Sequence, residues 1–248
     1  MDPKKHVWIV APPESAEVPE ERDTYPDVAS KIQTIRRIGA SLRAEDTSAI
    51  YFLQRVFDYD TEEVREAAAE ALTVLSHPEF KQALGDVAAF VEERESGSVE
   101  AAAPPCTSLF LQALGNPERH VRCCAARALV NIGGPVVSDL LEALTNADDN
   151  VRCFAASALG RIGDPVAIPA LAHLLRDRKR SVQDCAEGAL IRYGSSAVSP
   201  VVEELRDERS RLAAVRTLGW IGDATAVPAL LQTMQSADPN RTWEYWKA

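Results

Sequence analysis

The side chains with the most chemical potential in this 248-residue chain sit close together: His120, Cys123 and Cys124. Spacings of three and four residues put both thiols on the helical side that carries the imidazole. Such a set supplies two ligands, whereas tetrahedral zinc needs a third and usually a fourth. Cys153 and Cys185 lie at matching or adjacent positions in the next two units of a repeating pattern, which could bring them near that set as further ligands. Matching positions in a repeat read more simply as core slots filled by small residues. The five cysteines are therefore expected to be packed thiols in a reducing compartment. Cys123 and Cys124 point roughly 100° apart on a helix, so they cannot easily bridge each other. No metal and no other cofactor is expected.

Other chemical signatures are missing. The sequence has no G-x-x-x-x-G-K or G-x-G-x-x-G loop to cradle phosphate, and no H-E-x-x-H. Carboxylate pairs such as Glu203/Glu204 and Glu92/Glu93 read as solvated helix faces, since nothing places one in an apolar pocket that would raise its pKa for acid–base work. No catalytic residue is assigned. The one basic run, "RDRKR" (Arg176–Arg180), is joined in the next turn by Arg206, Arg209 and Arg211. Stacked turns would align these into a ridge, either pairing with Asp177, Asp207 and Glu208 or docking an acidic protein.

The elements that position these residues follow from composition and repetition. Hydrophobic residues make up 46% of the chain, enough for a buried core, and few Gly and Tyr among many Ala and Leu favour helix. Residues 1–104 carry 21 acids and 11 bases, a balance of −10, whereas residues 105–248 carry 16 of each. An acidic half and a neutral half argue against nucleic acid, whose binders need a basic face. No apolar run approaches the roughly 18 residues needed to span a bilayer, and "VWIVA" (Val7–Ala11) is too short for a signal-peptide core. A cytoplasmic protein is the expectation.

"HVRCCAARALVNIG" (His120–Gly133), "NVRCFAASALGRIG" (Asn150–Gly163) and "SVQDCAEGALIRYG" (Ser181–Gly194) align without gaps, and "SRLAAVRTLGWIG" (Ser210–Gly222) aligns through its second half. The marker leucines Leu129, Leu159, Leu190 and Leu218 are 30, 31 and 28 residues apart, and Leu72 marks an upstream copy in "EVREAAAEALTVL". Each unit reads as two helices. In the first, Val151, Ala155, Ala158, Leu159 and Ile162 form one apolar stripe, with Asp148, Asp149 or Asn150 to cap its start and Gly163 to end it. Asp164 and Pro165 open the second helix, Ala167–Asp177, which is echoed by "AVSPVVEEL" and "AVPALLQTM". Neither helix pair could bury both its faces alone, so the units must stack into an all-α solenoid.

The pattern D-x-x-V-R-x-x-A-A-x-A-L-G-x-I-G-D followed by A-[IV]-P-A-L resembles HEAT-like repeats, and more narrowly the short, bilin-lyase-type (PBS lyase HEAT-like) form of about 30 residues. The likeness is good from about 117 to 236 and weaker from 27 to 94. It implies that Arg65, Arg122 and Arg152, which follow the unit's valine, pair with an aspartate of the adjoining unit. The HE pairs of HEAT-like di-iron hydroxylases are missing. The reading divides the chain into an acidic extended arm (1–26), degenerate helical pairs (27–94), a loop or linker (95–105), regular repeats (106–236) and an aromatic tail (237–248) in which Trp243, Tyr245 and Trp246 would cover the end of the stack.

Solenoids of this kind mostly grip proteins on the extended face formed by their second helices. The expected function is a non-enzymatic scaffold or adaptor for another protein. Its contact residues would be Glu142, His173, Arg176, Arg178, Arg180, Glu203, Glu204, Gln232 and Gln235. The alternative implied by the resemblance is a bilin lyase-like or phycobilisome-associated chaperone subunit that handles an open-chain tetrapyrrole or a phycobiliprotein, with Phe154, Tyr193 and Trp220 as its available aromatics. The same repeat also serves many bacterial proteins that do no bilin chemistry.

Overall fold

The computed structural model describes residues 27–41, 47–96 and 102–236. The N-terminal arm, the aromatic tail and the centre of the 95–105 loop fall outside the described residues. Among those residues, all regular structure is helical. The chain divides into two compact units, residues 1–82 and 83–248.

In the first unit α1 (Val28–Ser41) and α2 (Thr47–Tyr59) both pack on α3 (Glu62–Ser76). Ile35, Leu53, Val64, Ala68 and Leu72 form its core. Gly39 lets α1 lie close to α3, since a Cβ there would meet the Ala71 Cβ at 2.7 Å. The unit boundary falls inside the next helix, α4 (Glu79–Glu95).

The second unit continues with α5 (Thr107–Ala113), α6 (Arg119–Ile132), α7 (Val137–Ala143), α8 (Asp149–Ile162), α9 (Ile168–His173), α10 (Arg180–Tyr193), α11 (Val198–Glu204), α12 (Arg211–Ile221) and α13 (Val227–Ser236). Each first helix packs on the next, α6 on α8, α8 on α10 and α10 on α12, while α9 packs on α11. The marker leucines Leu129, Leu159, Leu190 and Leu218 are all buried along this line. Each contributes about 1.5–3 kcal/mol on burial. Alanines beside them, such as Ala125, Ala155, Ala186 and Ala214, are fully covered and allow close helix approach.

The caps follow the sequence closely. The Asp148 carboxylate accepts from the Asn150 N–H at 2.8 Å, and Gly163 closes α8 in the left-handed region at φ 79°, ψ 15°. The Asp164 carboxylate accepts from the Val166 N–H at 3.0 Å. The second helix is not the single run Ala167–Asp177. It opens with a 3-10 turn at Pro165–Ala167, continues as α9 and tightens again to 3-10 at Leu174–Arg176. Bonds from i+3 to i satisfy carbonyls at a helix end, which is why short helices end this way.

Candidate interaction surface

Each unit of the stack turns from its second helix into the next first helix by the same device. A side-chain oxygen accepts from the backbone N–H two residues on: Asn116 from Glu118 at 2.8 Å, Asn146 from Asp148 at 2.9 Å, Asp177 from Lys179 at 2.8 Å, and Asp207 from Arg209 at 2.8 Å. The residue after the unit's valine, or after the Ser210 that takes the valine's place in the last unit, then reaches back to the carbonyls that end the second helix. Arg122 donates to the Asn116 and Pro117 carbonyls at 2.7 and 2.8 Å, and Arg152 to those of Asn146 and Ala147 at 2.8 and 3.1 Å. Gln183 donates to the Asp177 carbonyl at 2.7 Å and Arg211 to that of Leu205 at 2.9 Å.

The expected arginine–aspartate ladder is complete at one rung. Arg152, buried on α8, grips Asp177 of the next unit with Nε and Nη2 at 2.8 and 3.0 Å. Burial alone would raise the Asp177 carboxyl. Hydrogen bonds from Arg152 and the Lys179 N–H, with the charges of Arg152 and Arg178, hold it below the usual carboxylate range instead. One unit earlier the rung is open. The place of Asp177 is taken by Asn146, and the buried Arg122 Nε has no hydrogen-bond partner. The Arg122 guanidinium lies over the Phe154 ring at 5.5 Å instead.

Two expected contact residues are occupied by the fold. Arg176 donates to both oxygens of the buried Glu204 at 2.6 and 3.0 Å, and its Nη1 lies 3.1 Å from Asp207. This pair joins the 3-10 turn after α9 to α11. Arg180 is exposed but sits 2.7 Å from Asp184 and 3.6 Å from Glu187. Glu187, itself buried, pairs with Arg216 of α12.

The remaining positions fall into a register. Glu142, His173, Glu203 and Gln232 occupy the same place in four successive second helices, and all four are exposed, as is Gln235 one turn beyond Gln232. At the turns Arg178, Arg206 and Arg209 are exposed and make no ion pair among the described residues. The Arg176–Asp207 bridge places the turn carrying Arg178 beside the one carrying Arg206 and Arg209. Lys179 adds a loose contact to Asp149 at 3.8 Å.

The chemical constellation of the sequence does not assemble. His120 pairs with Glu118 at 3.1 Å, Cys124 is buried, and no group of three metal-ligating residues exists among the described residues. The packed-thiol reading fails at two cysteines: Cys153 on α8 and Cys185 on α10 form a disulfide with a Cα–Cα distance of 5.4 Å. Stacking at the unit period brings these partly exposed positions together, although they are 32 residues apart. Cys106, Cys123 and Cys124 remain thiols, and burial, with Asp86, pushes the Cys106 thiol up.

The aromatics stay on separate helices. Phe154 lies near the start of α8 under Arg122. The Tyr193 hydroxyl, at the end of α10, donates to the Leu159 and Asp164 carbonyls, each at 2.9 Å. Burial, reinforced by the Asp164 charge, pushes the Tyr193 phenol up to about 12. Trp220 on α12 is 73% exposed, at the place held by Asn131, Arg161 and Arg192 in the preceding units. In the first unit a groove of about 480 Å³ lies between α1 and α3, with an alanine-rich floor and Arg36, Glu70 and Lys81 among its lining residues. No single helix among the described residues is long and apolar enough to cross a membrane.

Residues 137–211 match the family described as HEAT repeats, and residues 210–236 match the PBS lyase HEAT-like repeat. No curated protein matches the chain. Among solved structures, an engineered protein is 23% identical over 80% of this chain and 94% of its own, with a TM-score of 0.35. Human deoxyhypusine hydroxylase in complex with glycerol is 20% identical over 79% of this chain and 81% of its own, with a TM-score of 0.37.

Proposed function

The chain is a HEAT-like repeat protein of the PBS lyase type, and from that premise we propose that it is a non-enzymatic scaffold or adaptor. It holds a partner protein on the exposed side of α7, α9, α11 and α13 and on the adjoining turns. The carrying observation is one of register. Glu142, His173, Glu203 and Gln232 repeat at a single exposed position, while Arg178, Arg206 and Arg209 stay unpaired beside them. The fold has engaged Arg152, Arg176, Arg211 and Arg216 in side-chain hydrogen bonds, whereas the Arg178, Arg206 and Arg209 guanidinium groups make no ion pair among the described residues. A partner presenting carboxylates to the turns fits this surface through charge complementarity. Three unpaired arginines on a chain of net charge −10 do not make a nucleic-acid face.

The test is affinity capture from the native host with wild type, Arg178→Glu/Arg206→Glu/Arg209→Glu, and a first-helix control, Arg161→Glu/Arg192→Glu. A partner identified by mass spectrometry should be kept by the control and lost from the triple variant. Equal capture by all three would sink the proposal.

The match of residues 210–236 to the PBS lyase HEAT-like repeat favours one second reading, handling of an open-chain tetrapyrrole. Biliverdin titration decides it. A saturable, red-shifted absorption supports this reading, and an unchanged biliverdin spectrum rejects it.

A further inference from the structure

We propose that Cys153 and Cys185 are a reversible oxidation site, a disulfide between adjacent repeats that opens and closes by thiol exchange while the stack stays folded.

Three observations carry this. The first is access. Both cysteines are partly exposed on neighbouring helices, whereas Cys124, a core cysteine one unit earlier, is 3% exposed. A small thiol can reach the bond between α8 and α10. The Cα–Cα distance of 5.4 Å lies in the range that a disulfide spans without moving the backbone.

The second is redundancy. The α8–α10 junction is already held without the bond. Gly160 lies so close to Ala189 that a Cβ on the glycine would meet it at 2.6 Å. Arg152 grips Asp177 in the turn before α10, and the Tyr193 hydroxyl bonds back to the end of α8. Ala155, Ala158 and Leu159 of α8, and Ala186, Ala189 and Leu190 of α10, are all buried. Opening the disulfide therefore removes a staple from an interface that has other means of closure.

The third is singularity. The corresponding places hold Cys123 and Phe154 at the α6–α8 junction, and Asp184 and Ala213 at the α10–α12 junction. Neither pair can form the bond. A need of the repeat core would recur from unit to unit, as the marker leucine does, and this pair does not.

The chemistry balances with a low-molecular-weight disulfide as oxidant. One cysteine thiolate attacks that disulfide, forms a mixed disulfide and releases one thiolate. The second cysteine thiolate then attacks the protein sulfur of the mixed disulfide and displaces the other. The two protein thiols lose two electrons and two protons, and the small disulfide leaves as two thiols. Excess thiol runs the sequence backwards.

The test uses the full chain in oxidised and reduced glutathione buffers, with alkylation by N-ethylmaleimide, non-reducing peptide mapping, circular dichroism and thermal melting. In the oxidising buffer the Cys153 and Cys185 peptides should be linked and protected from alkylation. In the reducing buffer both should alkylate with the helical signal unchanged. The oxidised form should melt higher by about 5–10 °C, as expected for closing a 32-residue loop. Cys153→Ser should lose that difference, and Cys106→Ser/Cys123→Ser should keep it. Full alkylation of both cysteines in the oxidising buffer overturns the proposal, as does linkage of a different pair. Loss of helix whenever the bond opens also overturns it, because the bond would then be a folding requirement.

Discussion

At the scale of single residues, the stack is held by side chains that serve two units at once. Arg152 closes the carbonyl end of the preceding second helix and grips Asp177 of the next unit. Asp177→Ala strands a buried guanidinium, so the second unit should lose about 3 kcal/mol in denaturant unfolding. The open rung makes the opposite prediction. Asn146→Asp places a carboxylate where the buried Arg122 Nε lacks a partner and should add about 1 kcal/mol. An unchanged unfolding midpoint would show that the two turns are not equivalent. The same carboxylates set the acid response. Asp177 is held below its ordinary pKa, and hydrogen bonds from Ser195 and Thr225 bring Asp223 down to about 2. In the unfolded chain both bind protons earlier, at about pH 4. Their stabilisation is therefore complete above that range and is lost as pH falls through the folded-state values. Unfolding midpoints measured from pH 6 down to 2 should stay level and then drop below about pH 4. In Asp177→Asn that drop should be shallower.

At the scale of elements, close approach of first helices sets the stacking. Gly160 is the sharpest case, with Ala189 at 2.6 Å from where its Cβ would be, while Gly188 has nothing within 4 Å. Gly160→Val should cost about 2 kcal/mol or more by forcing α8 from α10. Gly188→Ala should instead add about 0.5–1 kcal/mol by relieving a mid-helix glycine. Equal effects from the two would contradict the packing described here. These elements were largely legible in the sequence, because apolar spacing, Asp caps and left-handed glycines act locally. The Leu159 stripe and the Gly163 end are examples. What stayed hidden was pairing between units: Arg176 with Glu204, and Cys153 with Cys185. Both depend on which residues a 28- to 32-residue offset brings together, which the stripe of a single helix does not reveal. The 3-10 ends of the second helices were hidden too, since they arise where carbonyls meet the next turn.

At the scale of the whole molecule, repetition yields an exposed register, and among the described residues no three metal-ligating side chains come together. His120 pairs with Glu118, the aromatics are spread over three helices, and the cysteines are divided between a disulfide and thiols. What recurs is a row of polar positions on the second helices beside unpaired turn arginines. Arg176 and Glu204, expected among the contact residues, are bonded to each other within the stack. The most direct test is the dissociation constant of the captured partner, measured at low and physiological salt for wild type and for Arg178→Glu/Arg206→Glu/Arg209→Glu. At least about tenfold weaker binding and a shallower salt dependence are expected for the triple variant, with its helical fold retained. An unchanged dissociation constant and salt dependence would contradict the claim that this surface holds the partner.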